Sequence, residues 1–240
     1  MRRTVRGHSK RALISDSVRS SASRRRLFPS RAKPIRASTQ RAEPALPSEK
    51  RPLTEEELRE CTIGELRPLV GGIRIVDADP EWPNLFEREA ERIHAALGAR
   101  ALRIEHVGST SVPQLPAKPV IDVLLVVEDS ANEAGYAPEL ERAGYVLRIR
   151  EPDWYGHRMF KGPGTDVNLH VFSPGCAEIE RMLLFRDWLR NNPADRELYV
   201  QTKLELAKKE WTYVQNYADA KSAVIGEILS RATSSSSQNP

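Results

Sequence analysis

A hydroxyl-rich segment at the end of a predicted strand combines residue types that bind phosphate. Gly108, Ser109, Thr110 and Ser111 directly follow the predicted strand 101–107. A glycine lets a ligand approach the backbone closely, and backbone N–H groups together with serine and threonine hydroxyls can hold phosphate oxygens. The segment therefore predicts a phosphate site. The alternative for Gly108 and Ser109 alone is an ordinary tight turn.

One carboxylate lies in the longest apolar run of the chain. Asp122 interrupts the stretch from Val120 to Val127, and Lys118 lies between it and the hydroxyl-rich segment. A buried carboxylate is costly unless it is paired or bound to a cation. Beside a phosphate site, such a carboxylate brings a divalent cation to the phosphate. We therefore expect Asp122 to bind a cation and to carry an uncompensated charge without it. The alternative is a structural carboxylate satisfied by hydrogen bonds.

Six strands are predicted to position these residues. The run at 120–127 is rich in Val and Ile, which is typical of a central strand buried on both faces. Gly162-Pro163-Gly164 separates the last two strands and indicates a hairpin. The predicted strands cover residues 73–76, 101–107, 120–127, 145–150, 157–161 and 166–172.

The remaining apolar residues follow helical spacing. Thr54 is predicted to cap a short helix at 54–60, because three glutamates follow it. Asp79-Pro80 is predicted to begin a helix that Gly98 ends. Further helices are predicted at 131–143, 177–190, 194–213 and 217–231. Strands followed by a run of helices predict an α+β fold, with a mixed sheet, flanking helices and a C-terminal helical bundle.

Several of these segments together resemble the GrpB family, which belongs to the nucleotidyltransferase superfamily. The resemblance covers residues 73–232. It is carried by the stretches 104–113 and 118–124, the start of the first long helix at 79–83, the hairpin segments 158–163 and 168–172, and the pairs Tyr199/Lys203 and Tyr217/Lys221. Related domains occur fused to dephospho-CoA kinase. The resemblance implies a nucleotidyltransferase-like fold that binds a nucleotide or another phosphorylated ligand.

The resemblance adds residues to the candidate site. His170 becomes a catalytic and metal-binding candidate beside Asp122. Arg158 has a planar guanidinium that suits phosphate recognition. The shared Tyr-x-x-x-Lys spacing puts each tyrosine and lysine on one helix face, which makes Lys203 and Lys221 ligand-binding candidates. The alternative for these lysines is a solvated helix face.

Two histidines near these segments lead to different predictions. His106, at the end of a predicted strand, is a candidate catalytic base or phosphate donor. The alternative for His106 is a hydrogen-bonded structural histidine. His157 alternates with Arg158 along one strand, and we expect His157 at the surface.

The sequence departs from the usual nucleotidyltransferase pattern at one position. Leu124 occupies the place of the second acid of an Asp-x-Asp motif. One aspartate and one histidine suit a softer ion such as Mn²⁺ or Zn²⁺ better than Mg²⁺, which prefers oxygen ligands. The resemblance implies Mg²⁺ or Mn²⁺ as cofactor. We expect either transfer of a nucleotidyl group or, as the alternative that Leu124 favours, a non-catalytic binding or regulatory module linked to coenzyme A metabolism.

Composition limits the class of protein. The chain has 240 residues, a formal net charge of +4 and a mean hydropathy of −0.51. No apolar run approaches the roughly 18 residues of a membrane span. Two cysteines outside any CxxC pair exclude a disulfide framework and favour a reducing compartment, so a cytoplasmic location is expected. The oligomeric state is left open.

The positive charge is concentrated in the first 50 residues. They hold 11 Arg, 3 Lys and 3 acids, a net charge of +11, which leaves −7 for the rest. We expect a disordered basic tail at 1–50, a linker at 51–72, the GrpB-like domain at 73–232 and a second disordered tail at 233–240. The basic tail is typical of a nucleic-acid-binding arm, an organellar transit peptide, a segment for an acidic partner or a non-functional extension. Outside this tail, nucleic acid is not an expected partner.

Deleting residues 1–50 tests the prediction that they are dispensable for folding. We expect the shortened chain to keep the melting temperature of the full chain, because the segment has too few apolar side chains to join the core. Thermal unfolding followed by circular dichroism measures this. A drop of several degrees would show that the segment belongs to the folded domain.

Overall fold

A mixed five-stranded sheet organises the chain. In the computed structural model, which describes residues 51–236, the strands lie in the order β1-β2-β5-β4-β3. The pairs are antiparallel except for the parallel pair β2 and β5. The strands are β1 (Arg103–Val107), β2 (Ile121–Val126), β3 (Val146–Glu151), β4 (His157–Lys161) and β5 (Val167–Phe172).

Seven α-helices surround the sheet within the described residues. They are α1 (Glu55–Cys61), α2 (Trp82–Leu97), α3 (Ala137–Arg142), α4 (Ala177–Asn191), α5 (Pro193–Ala207), α6 (Val214–Asp219) and α7 (Ser222–Ser236). Side chains from α4, α5 and α7 form a separate apolar cluster, the C-terminal bundle, together with Val112 and Leu115 from the segment between β1 and β2. The α+β fold expected from the sequence, with a mixed sheet and flanking helices, is confirmed. Within residues 51–236, none of the helices has both the length and the apolar character needed to cross a bilayer.

The two faces of the sheet have different surroundings. On one face, Ile121, Val123 and Leu125 of β2 pack with α2 and α3 in the largest core cluster. On the other face, Leu124 and Val126 of β2 pack with side chains of α4. The strand is buried on both faces, as its apolar run predicted. Asp122 lies on the α4 face because side chains alternate along a strand.

Several predicted boundaries are wrong for local reasons. Residues 73–76 form no regular strand, and only Val76 makes an isolated bridge, to Ala117. The helix predicted from Asp79-Pro80 begins at Trp82, because the Asp79 side chain accepts from the backbone of Glu81 in a turn. The strand predicted from 145 is β3, which ends at Glu151.

The helical predictions are also revised. The helix predicted at 131–143 is a 3₁₀ turn followed by α3, because Pro138 fits only the first turn of a helix. The helix predicted at 194–213 ends at Ala207. The one predicted at 217–231 divides into α6 and α7, and α7 continues to Ser236.

Other local predictions are confirmed. Thr54 caps α1 with a full capping box, in which Glu57 also bonds the backbone of Thr54. Pro193 begins α5 after the break between the long helices. The tail at 1–50 and residues 237–240 lie outside the described residues.

The turn after β1 packs directly onto the carboxylate of β2. Gly108 has φ +69°, and a Cβ built on it would lie 2.3 Å from Oδ2 of Asp122. Val107 of β1 is also paired with Asp122 in the sheet. Because Gly108 has no side chain, the hydroxyl-rich turn can pack in direct contact with the carboxylate of Asp122.

Replacing Gly108 by alanine should destabilise the protein by more than its backbone conformation alone requires. We expect Gly108→Ala to lose about 1–3 kcal/mol more than Gly175→Ala, because Asp122 must move away from the new methyl group. Gly175 is a matched control: its φ is +77° and a Cβ there would meet no atom within 4 Å. Urea unfolding of both variants measures the difference. Equal losses would contradict close packing of the turn onto Asp122.

Candidate functional site

The structure brings Asp122 and His170 together on the α4 face of the sheet. Asp122 pairs with Asn168 in the parallel ladder between β2 and β5, and His170 lies two residues further along β5. The amide of Asn168 donates to Oδ1 of Asp122 at 2.8 Å, and Nε2 of His170 lies 3.8 Å from the same oxygen. The two side chains are 27% and 22% exposed, so a ligand can reach both.

The charge of Asp122 is compensated by its neighbours. Burial opposes ionisation, but His170, Asn168 and the ammonium group of Lys221 outweigh it and lower the pKa of Asp122. The expectation of an uncompensated charge is therefore wrong. A carboxyl group with a lowered pKa stabilises the folded state above its unfolded pKa, and this stability is lost as pH falls through the folded pKa.

The hydroxyl-rich segment forms a 3₁₀ turn at Ser109–Ser111, and its three hydroxyl groups have different hydrogen-bond partners. The hydroxyl of Thr110 donates to the carbonyl of Val120 at 3.0 Å, and that of Ser111 donates to the carbonyl of Gly108 at 2.6 Å. Both residues are buried. Ser109 differs, because its hydroxyl accepts from the ammonium group of Lys203 at 3.4 Å.

Lys203 is a buried ammonium group beside this turn. Its side chain is 2% exposed. Nζ donates to the carbonyl of Pro116 at 2.5 Å and lies 4.7 Å from the ring centroid of Tyr199. Burial, together with the charge of Lys221, lowers the pKa of Lys203 to about 7. A nearby anion would favour the charged form and raise that pKa.

Two further lysines interact electrostatically with Asp122. Nζ of Lys221 lies 4.7 Å from the ring centroid of Tyr217, which repeats the arrangement of Lys203 over Tyr199. Burial lowers the pKa of Lys221, while the charge of Asp122 opposes this. Burial also lowers the pKa of Lys118, whose charged neighbours are, from the largest effect to the smallest, Asp166, Lys161, Lys221 and Asp122. Among the described side chains, the hydroxyl of Tyr217 is buried without a hydrogen-bond partner.

The structure does not bring His106 to Asp122. His106 lies on the opposite face of β1 from Val107, the strand partner of Asp122. Its ring lies parallel to Phe86 at 4.8 Å. Its Nε2 donates to the Thr110 hydroxyl, because that hydroxyl gives its own proton to Val120. Burial lowers the pKa of His106 to about 4. The geometry corresponds to the structural alternative, since His106 is neutral at pH 7 and has a partner.

Arg158 also lies on the opposite face, paired with Val171 in the ladder. It is 5% exposed. Its guanidinium donates to Glu133 at 2.5 Å and to the carbonyl of Gly156 at 3.0 Å. These contacts engage the groups that would bind phosphate, and the sheet separates them from Asp122. The expectation that Arg158 lies at the Asp122 site is therefore wrong, because the strand register places Arg158 on the opposite face of the sheet.

His157 and Glu151 are the residues that sequence reasoning missed. His157 is 5% exposed, so the expectation of a surface position is wrong. Its Nδ1 lies 2.8 Å from Oε2 of Glu151, and its Nε2 lies 3.1 Å from Nδ1 of His170. The hairpin offered a signal: His157 shares a face with Met159, the strand partner of His170.

The lowered pKa of Lys203 predicts a specific pH dependence of stability. Below pH 7 the lysine is charged in both states, so the folded state bears the full cost of burial. Between pH 7 and 10.5 it is neutral when folded and charged when unfolded, so stability rises. Relative to Lys203→Met, the wild type should gain roughly 3 kcal/mol between pH 7 and 9.5.

Urea unfolding across this pH range measures the gain. Lys208→Met is the control, because Lys208 lies at the end of the same helix with an exposed side chain. Parallel curves for wild type and Lys203→Met would contradict a buried lysine with a lowered pKa.

Known proteins resemble most of this chain. A UPF0157 protein of Halalkalibacterium halodurans is 61% identical over 181 residues, 75% of this chain and 93% of that protein. The crystal structure of the conserved protein GrpB from Enterococcus faecalis has a TM-score of 0.59 and 36% identity, and covers 66% of this chain and 96% of that one. A dephospho-CoA kinase of Mycobacterium tuberculosis is 33% identical over 186 residues, 66% of this chain and 46% of the kinase.

The family profile described as GrpB protein matches residues 72–231, which include every residue around Asp122 described above. The match begins one residue before the expected start of the domain at 73 and ends one residue before its expected end at 232. This chain therefore belongs to the GrpB protein family.

Proposed function

We propose that this protein binds a nucleotide or another phosphorylated ligand on the α4 face of the sheet, next to Asp122. One observation carries the proposal: the turn at Gly108 and Ser109 packs against Asp122, and the ammonium group of Lys203 lies 3.4 Å from the hydroxyl of Ser109. The charges of Lys118 and Lys221 also interact with Asp122. Buried ammonium groups are unfavourable without an anion. A phosphate group supplies that anion, and its oxygens accept from ammonium and hydroxyl donors.

Asp122 and His170 are the residues that would hold a divalent cation. Their oxygen and nitrogen face each other at 3.8 Å and both are partly exposed. Within the described part of the chain, no group of three His, Cys, Asp or Glu side chains is placed to bind a metal. The pair therefore fits a cation whose other ligands are phosphate oxygens and water. The mixed oxygen and nitrogen set favours Mn²⁺ over Mg²⁺. A bound cation would neutralise phosphate charge and polarise a phosphoryl oxygen.

Nucleotidyl transfer is the finer form of the proposal. In such a reaction the oxygen of an acceptor hydroxyl attacks the α-phosphorus and gives up its proton to water, the bond from that phosphorus to the bridging oxygen breaks, and pyrophosphate leaves. The lysines would stabilise the charge on the leaving pyrophosphate, and Asp122 would hold the cation beside the attacked phosphate. Release of pyrophosphate from a nucleoside triphosphate would support this form.

A non-catalytic or regulatory module is the second candidate, and Leu124 favours it. Leu124 is fully buried in the α4 cluster and pairs directly with His170 in the ladder. The site therefore has a single carboxylate where two-cation phosphoryl transfer uses several oxygen ligands. The similarity to a dephospho-CoA kinase supports a link of such a module to coenzyme A metabolism. A cytoplasmic location stays a prediction.

The test is ligand-induced stabilisation of the full chain and of Asp122→Asn. ATP, ADP and pyrophosphate are added separately, with and without Mn²⁺, and thermal unfolding is recorded. We expect at least one probe to raise the melting temperature of the wild type in a Mn²⁺-dependent manner. A ligand at 100 times its Kd stabilises by about 2.7 kcal/mol.

Asp122→Asn should lose the Mn²⁺-dependent part of this shift. It should also unfold at a slightly lower temperature without ligand, because the charge that its neighbours stabilise is gone. Asp153→Asn, an exposed aspartate in the turn after β3, is the matched control and should respond like the wild type. No shift with any probe, or an equal Mn²⁺-dependent shift in Asp122→Asn, would contradict the proposal.

A further inference from the structure

Two tyrosine–lysine pairs from the C-terminal part of the chain have the same geometry. Nζ of Lys203 lies 4.7 Å from the ring centroid of Tyr199, and Nζ of Lys221 lies 4.7 Å from that of Tyr217. The charge of Lys221 also contributes to the lowered pKa of Lys203, so the two pairs are neighbours. They differ in their hydrogen bonds, and this difference separates their roles.

The first pair is bonded to the segment between β1 and β2. Nζ of Lys203 donates to the carbonyl of Pro116 at 2.5 Å and to the hydroxyl of Ser109 at 3.4 Å. Two of the three donors of this ammonium group are therefore used within the protein. Because Ser109 belongs to the turn that packs against Asp122, Lys203 connects that turn to α5. This lysine has a structural task in the protein without ligand.

The second pair lacks such partners. Tyr217 is 2% exposed, and its hydroxyl is buried without a hydrogen-bond partner among the described residues. The ammonium group of Lys221 contacts the ring of Tyr217 and donates to no acceptor within residues 51–236. The charges of Asp122 and Asp219 favour the charged form of Lys221. A buried hydroxyl without a partner is unfavourable in the folded protein, and a ligand that accepts from it would offset this cost.

Packing fixes the position of the Tyr217 ring. Trp211 meets it in a T-shaped contact, with 6.2 Å between the ring centroids. Nε1 of Trp211 donates to the carbonyl of Leu206 at 2.8 Å, which holds the indole in place. Burial raises the pKa of Tyr217, and the neighbouring Tyr199 raises it further. The hydroxyl of Tyr217 therefore keeps its proton at neutral pH and stays available as a donor.

We propose that the hydroxyl of Tyr217 and the ammonium group of Lys221 bind one phosphate group of the ligand, while Lys203 holds the turn at Ser109. The assignment rests on the proposed function and names the donors that contact the phosphate. The hydroxyl is attached to the ring that Nζ of Lys221 faces, so both donors are within reach of a single phosphate group. Phosphate oxygens accept strongly from ammonium groups and from hydroxyls.

Isothermal titration calorimetry of the full chain tests the two donors, with pyrophosphate, ATP and adenosine as probes, each with and without Mn²⁺. Tyr217→Phe removes the hydroxyl and keeps the ring that Lys221 faces. We expect it to weaken the binding of pyrophosphate and ATP about 10-fold or more, because a hydrogen bond to a charged acceptor is lost. Lys221→Met should weaken this binding at least as much. Because both donors contact the same phosphate, the double variant should weaken binding by less than the product of the two single effects.

Thermal unfolding without ligand separates a binding hydroxyl from a structural one. Tyr217→Phe should keep or raise the melting temperature, because it removes a buried polar group that has no partner. Tyr136→Phe is the matched control: Tyr136 is also 2% exposed, but its hydroxyl donates to the carbonyl of Ser130 at 2.7 Å. This control should melt a few degrees lower and bind every probe like the wild type.

The outcomes distinguish this assignment from the proposed function. If no probe binds to the wild type, the proposed function fails and the assignment fails with it. If pyrophosphate and ATP bind equally to the wild type and Tyr217→Phe, the proposed function stands and the role of Tyr217 is overturned. A loss of adenosine affinity with unchanged pyrophosphate affinity would also overturn it, because the hydroxyl would then bind the nucleoside. A lower melting temperature of Tyr217→Phe with unchanged binding would identify a structural tyrosine.

Discussion

The parallel pairing of β2 with β5 fixes the geometry of the whole candidate site. This ladder places Asp122 opposite Asn168 and Leu124 opposite His170. Because side chains alternate, the same register directs Asp122, Asn168 and His170 to one face of the sheet. A shift by one residue would turn Asp122 into the apolar cluster under α2 and α3, where its charge would lack these partners. The apolar side chains of β2 therefore protect the register on which the site depends.

The α4 face is divided between packing and binding. Toward Val126 and Phe172, apolar side chains of α4 cover the strands. Toward Asp122, the cover is formed instead by charged and hydroxyl groups, including Lys203 and Ser109. Such groups lose hydration when they are buried, and the lowered pKa of Lys203 expresses this cost. A bound anion would offset part of the cost, so the same electrostatics that weakens the free protein would strengthen binding.

Two histidines of this chain show how position decides chemical role. His106 is buried beside Phe86, and its Nε2 is engaged with Thr110, so it stabilises the turn after β1. His170 is partly exposed, and its Nε2 faces Asp122. Both are imidazoles on strands next to β2. They differ because β1 presents His106 to the α2 side of the sheet, while β5 presents His170 to the α4 side.

The sequence by itself determined the strands that carry the site, the hairpin, the α+β class and the proximity of the Gly108 turn to Asp122. These follow from local signals: the apolar run around Asp122, the glycines of the hairpin, and residues that are close along the chain. The sequence misjudged His157 and Arg158, because alternation shows that they face opposite sides but not which side faces the site. Only the tertiary structure decided that, since the order of the strands brings Glu151, His157, His170 and Asp122 side by side from four separate segments. Such pairing depends on long-range packing of the whole sheet, which no local pattern encodes.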